Sequence, residues 1–192
     1  MCGRMNITDD PLALWISENL GISFRSQANH DFRPTQSTRL ISADLNVHDS
    51  NWGIHPNWSD KIIINARSET LLSKPLFANH FKRRVLVPCS GWYEWCNTPS
   101  GKQKTLFSPN NDSQFLMAGL EVEPQRFVTL TRKPTTEYQA YHHRMPMLIH
   151  VDQAKAWLSN DELARESLER PWDYSFTSEA ESIAPQQNYS LF

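Results

Sequence analysis

From Arg39 to Val151 the chain is written in short β-prone pieces. RLIS, LNVH, NWGIH, KIIIN, RVLVP, GWYEW, QFLMAGL, FVTLT and MPMLIHV follow one another, separated by turn residues such as Asp44, Asn51 and Pro56. Runs this short, with turn signals between them, can bury an apolar face only by pairing with one another. Helical periodicity is confined to the two ends. This pattern predicts an α+β fold with a mostly antiparallel, barrel-like β core and peripheral helices.

The helices are few. Thr8-Asp9-Asp10-Pro11 offers a capping side chain, acids for a first turn and a proline where no amide is needed. Leu12, Trp15, Ile16 and Leu20 then recur at helical spacing, and Gly21 provides a stop. Residues 68–81 read as helical for at least one turn, with Pro75 breaking or restarting it. Two short helices are expected at Asp152–Leu158 and Asp161–Leu168, followed by a polar, irregular end loosely tied after about residue 171. At 192 residues, without repeats or a low-complexity linker, the whole chain 1–192 is expected to form one domain.

Composition excludes several classes. No apolar run approaches the ~18 residues that span a bilayer, and Asp9, Asp10 and Pro11 interrupt any secretory leader. Cys2, Cys89 and Cys96 are odd in number and lack framework spacing, which fits a reducing compartment without disulfides. A cytoplasmic protein is expected. The net charge of −2 does not by itself mark a nucleic-acid binder. Its distribution is uneven, however: residues from Val151 onward carry eight acids and three bases, whereas Lys61–Arg84 holds six bases against Glu69 alone. A basic middle beside an acidic end can present a positive face.

The chemistry centres on Cys2. Once Met1 is removed, one residue carries an α-amine of pKa roughly 8 and a thiol near about 8.5. Both are then partly nucleophilic at neutral pH. Such a pair can close a thiazolidine on an aldehyde carbon, or the thiol can attack a carbonyl with the amine as base. Asn65 and Arg67 follow an apolar strand where a helix can begin, within reach of an anion or carbonyl. In GWYEW, period-2 alternation puts Trp92 with Glu94 on one face and Tyr93 with Trp95 on the other. A carboxylate among aromatics is desolvated, and its pKa rises toward a value suited to proton transfer. His142 and His143 precede Arg144 without an acid or cysteine at ligand spacing, so neither a metal nor another cofactor is called for.

Taken together, MCGR, NWGIHPNW, INARSET with the later KPLF, RRVLVPCSGWYEW and HHRMP resemble the SRAP (SOS response-associated peptidase) family over residues 2 to about 150. The resemblance implies DNA repair by covalent capture of abasic sites in single-stranded DNA, with a peptidase activity that removes Met1. It assigns Cys2 as nucleophile, Asn65 as the residue orienting the cysteine amine or the sugar, Glu94 as proton handler, and His142 as the group that opens the sugar. Arg67 and Arg144 match phosphate-binding arginines, Arg4 is a third, and Trp58 would stack on a base or wedge against a duplex end. It also implies a monomer on single-stranded DNA, with a lyase side reaction open. HDFRPTQ departs from the family pattern by placing Asp31 and Arg33 where an asparagine is usual, so that the acid either repels DNA or pairs with Arg33. A cysteine hydrolase acting on peptides in trans and a noncovalent single-strand binding module stand as the alternatives.

Overall fold

The computed structural model describes residues 3–99, 101–110, 114–170 and 175–181. Its strands are β1 (Met5–Ile7), β2 (Asn29–Phe32), β3 (Ser37–Ile41), β4 (Val47–Trp52), β5 (Asn65–Arg67), β6 (Arg84–Cys89) and β7 (Gly91–Thr98), then β8 (Gly101–Pro109), β9 (Phe115–Glu123), β10 (Arg126–Arg132), β11 (Met145–Pro146), β12 (Leu148–Ile149) and β13 (Phe176–Ala180). The helices are α1 (Asp10–Leu20), α2 (Pro75–Ala78), α3 (Ala154–Ser159) and α4 (Asp161–Glu169).

The strands form two sheets. One runs β13-β8-β7-β1-β2, antiparallel throughout. The other runs β11-β10-β4-β3-β6-β9-β12, and because β9 also pairs with β10, the strands β10, β4, β3, β6 and β9 close into a barrel. Closure removes the unpaired edges that an open sheet of this width would expose. The expected α+β, barrel-like core is therefore what forms. Two parallel pairings, of β10 with β4 and with β5, interrupt its antiparallel pattern.

Gly53 explains how both parallel partners share one edge of β10. β4 pairs Arg126 with Asn51 and Phe127 with Trp52, and β5 then pairs Thr129 with Asn65. Between them Gly53 adopts φ 106°, and a Cβ there would meet the Ile62 side chain at 2.5 Å. Glycine is the residue that takes this φ without strain, and any side chain there would also have to displace Ile62. Trp52 is fully buried beneath this exchange, stacks on Phe32 at 5.8 Å and donates from Nε1 to the Ile64 carbonyl at 2.9 Å.

Helix α1 forms where its sequence places it, with Pro11 in the first turn, Leu12, Ile16 and Leu20 buried and Gly21 left-handed at φ 70° as the C-cap, but the expected capping bond is not made: Asp9 stands at the N-cap without a side-chain hydrogen bond. The stretch around Pro75 resolves into a 3-10 turn, Ser68–Ser73, and the short α2 that the proline restarts. The end of the chain corrects the sequence reading. Phe176–Ala180 is not irregular but pairs with β8 from Phe176↔Pro109 to Ala180↔Thr105. The anchor is Phe176, buried against Trp92, Phe107 and Tyr138 at centroid distances of 5.6–5.7 Å. Burying one such ring contributes about 1.5–3 kcal/mol, enough to hold a polar strand at an edge. Residues 171–174 and 182–192, also part of that expectation, lie outside the described residues.

Candidate active site

Strand β7 supplies the first functional group. Trp92 and Glu94 are both buried, at 0% and 3% exposure, while Trp95 on the opposite face is 41% exposed. Burial pushes the Glu94 carboxyl up to about 7, so near neutrality it both gives and takes a proton. The neighbouring strand is the start of the chain. Met5 pairs with Trp92, and the Tyr93 amide donates to the Arg4 carbonyl at 3.0 Å, so the antiparallel ladder runs Gly3 toward Glu94. Cys2, the nucleophile implied by the resemblance, lies outside the described residues.

Strand β5 supplies the second group. Its three residues hang on β10, where Thr129 Oγ1 donates to Asn65 Oδ1 at 2.5 Å and fixes the amide plane. Arg67, one turn of the pleat further on, is exposed. Both residues line an open cavity of about 680 Å³ together with Trp58, Lys74 and Leu76. Trp58 is 71% exposed, the most exposed large apolar side chain among the described residues.

The third group is His142, just after a 3-10 turn (Tyr138–Ala140). Its Nδ1 sits 2.9 Å from the Arg144 carbonyl oxygen and 3.0 Å from the Arg144 amide nitrogen, so the ring orientation is held in either tautomer. Burial lowers its pKa, which keeps the imidazole neutral at physiological pH. The His143 ring lies against it at 4.3 Å.

The family resemblance implied a phosphate contact for Arg144; in this structure protein groups hold its guanidinium. Its side chain is only 9% exposed. The guanidinium fork donates to both Glu69 carboxylate oxygens at 2.8 Å and to the Thr131 carbonyl at 2.7 Å. Burial opposes ionisation of Glu69, yet Arg144 and the Lys133 amide overcome it and hold that carboxyl at about 2. Arg144 thus pins the His142 turn onto β10 and faces inward. Nothing local in HHRMP announces this, because Glu69 lies 75 residues away.

Arg4 is half-buried, with its guanidinium 5.7 Å from the Trp95 ring and 3.3 Å from Asp31. Asp31 also accepts from Arg33 and lies 3.3 Å from the Lys104 ammonium. The pairing of Asp31 with Arg33 that the sequence offered is present, and Arg4 and Lys104 join it. Lys74 belongs to the basic stretch Lys61–Arg84, whereas Lys104, a lone lysine in a polar segment, carries no local signal in the sequence.

This fold has solved counterparts. A crystal structure of a protein from Bordetella bronchiseptica matches with a TM-score of 0.79 at 17% identity, over 95% of this chain and all of that one. At that identity it speaks for the fold. Bacillus subtilis (strain 168) has a protein named abasic site processing protein YoqW, 28% identical over 197 residues, spanning 90% of this chain and 88% of its own. Another from that strain, abasic site processing protein YobE, is 31% identical over 180 residues, spanning 83% of this chain and 82% of its own. The chain belongs to the SOS response associated peptidase (SRAP) family, whose pattern it matches over residues 1–184.

Proposed function

We propose that this protein processes abasic sites in single-stranded DNA by capturing the open-chain sugar aldehyde covalently on Cys2. The observation that carries the reading is Glu94, a carboxyl buried to a pKa of about 7 on the strand that pairs with the start of the chain. The names of the Bacillus relatives support the substrate class.

The steps follow from the groups present. An abasic deoxyribose is mostly a ring hemiacetal, and His142, neutral at pH 7, transfers the proton that opens it. The Cys2 amine, freed when the protein removes its own Met1, adds to the aldehyde carbon. Water leaves from the resulting carbinolamine with a proton supplied by Glu94, and an imine forms. The Cys2 thiolate then adds to the imine carbon, the nitrogen takes up a proton, and a five-membered thiazolidine closes. The net reaction joins aldehyde and cysteine with loss of one water and no change of oxidation state. The imine is also the branch point for strand cleavage by β-elimination, so a lyase side reaction competes until the ring closes.

Asn65, held by Thr129, orients the amine or the sugar. Arg67 and Arg4 hold flanking phosphates, as arginine forks do in sequence-independent DNA contacts. Trp58 stacks on a base at the cavity rim. Arg144 acts through His142, as a positioning residue. One copy of the chain suffices, and it works in the cytoplasm where the DNA is. Among the described residues no helix is long and apolar enough to cross a membrane.

The test mixes the protein with single-stranded DNA containing one abasic site and reads intact mass and denaturing gels. A heat-stable adduct of protein plus DNA minus one water, lost in Cys2→Ala and absent with undamaged DNA, is expected. Peptide hydrolysis in trans without any adduct would replace this reading with the hydrolase alternative.

A further inference from the structure

Beside β1, β2 and β8, three cations converge on one carboxylate. Asp31 Oδ1 lies 3.3 Å from Arg4 Nε and 3.3 Å from Lys104 Nζ, while Oδ2 accepts from Arg33. Lys104 also contacts Glu181 at 2.9 Å and lies over the Tyr93 ring at 4.0 Å. Among the described residues the cluster thus brings Arg4, Arg33 and Lys104 together with Asp31 and Glu181. A carboxylate that gathers two guanidinium groups and an ammonium stands where the oxygens of a phosphodiester would be held.

We infer that Arg4, Arg33 and Lys104 form a single phosphodiester subsite for the DNA strand, with Asp31 as its resident counter-ion. The identity of the anion rests on the proposed DNA function; the cluster itself does not. In the free protein Asp31 holds Arg4, two residues from Cys2, in the pose that a phosphate would use. A bound strand takes over Arg4 from Asp31, and Asp31 sets how tightly that position grips the backbone. The acid thus weakens noncovalent binding while keeping the arginine ordered for it. Retention of the strand is left to covalent capture.

The experiment measures noncovalent affinity, using a single-stranded oligonucleotide that carries a tetrahydrofuran abasic analogue. Having no aldehyde, this probe cannot form an adduct, so failure of covalent capture leaves the measurement intact. Asp31→Asn preserves shape and removes the charge. At low salt it should bind roughly fivefold tighter, as expected for one like charge withdrawn from near a phosphate across a solvated surface. Its log K against log salt should steepen by about 0.7, one further phosphate neutralised on a single strand. In an Arg4→Ala background the same substitution should bring less than about twofold, because the released partner is missing. Asp49→Asn, which removes an acid paired with Arg39 elsewhere, controls for net charge. The inference is overturned if folded Asp31→Asn binds no tighter than wild type, if Asp49→Asn matches its gain, or if the gain persists in full without Arg4.

Discussion

Glu94 lets stability report on the candidate site. Its carboxyl has an ordinary pKa of 4.5 and titrates at about 7 in the fold. The folded state therefore binds the proton more tightly than the unfolded state does. Below 4.5 both states are protonated and Glu94 is neutral in its effect; between 4.5 and about 7 stability falls as pH rises; above that the whole cost is present. At about 1.4 kcal/mol per pKa unit the full cost is about 3 kcal/mol, a sizeable part of the ~5–15 kcal/mol that holds a domain together. Glu94→Gln keeps the shape and removes the titration. Urea unfolding at several pH values across the window should show the wild type losing stability toward neutrality, while the variant loses about 3 kcal/mol less. Parallel pH profiles for the two proteins would refute the claim that Glu94 is held protonated by burial. The same substitution should slow covalent capture by about 10²- to 10⁴-fold, the usual span for a general acid–base group.

Trp58→Ala removes an exposed indole, so unfolding free energy should move by less than about 0.5 kcal/mol. Single-strand affinity, read by fluorescence anisotropy, should fall by about 1–3 kcal/mol; an unchanged affinity would remove Trp58 from the interface. Arg144→Leu leaves Glu69 and the Thr131 carbonyl without their partner and should cost about 3–5 kcal/mol in urea unfolding. If that variant does not fold, Glu69→Gln tests the same clasp. In either protein capture should slow more than binding weakens, and loss of DNA affinity with stability intact would return Arg144 to a phosphate-binding role.

Much of this arrangement was legible because it is written locally. Asp10, Pro11 and Gly21 punctuate α1, and the alternation in GWYEW already sorts Glu94 with Trp92. Strand β8 escaped because KQKT is polar and charged, and its strand character comes from the ladders to β7 and β13 on either side. β2, only Asn29–Phe32, escaped for the same reason at a sheet edge. β13 shows the limit most clearly. Phe176 looks like one aromatic in a polar tail until the cluster of Trp92, Phe107 and Tyr138, brought together by other parts of the chain, gives it a place. The orientation of Arg144 and the joining of Arg4 and Lys104 to the Asp31–Arg33 pair were out of reach for a further reason. Each depends on which oppositely charged groups the fold brings within a few ångströms, and sequence spacing carries no record of that.

Strand β10 holds four neighbours at once: β4 and then β5 along one edge, β9 and then β11 along the other. Asn65 reaches its position through a three-residue ladder to that strand, and His142 is tied to it through Arg144 and the two-residue β11. Ladders so short have no independent persistence. The two groups consequently share one fate in local opening, appearing and vanishing with β10 as a single cooperative unit. A chain in which the barrel has not closed therefore holds no half-assembled centre, with one group in place and the other astray. On the proposed reading, completion of the fold itself is what switches on reactivity toward an aldehyde.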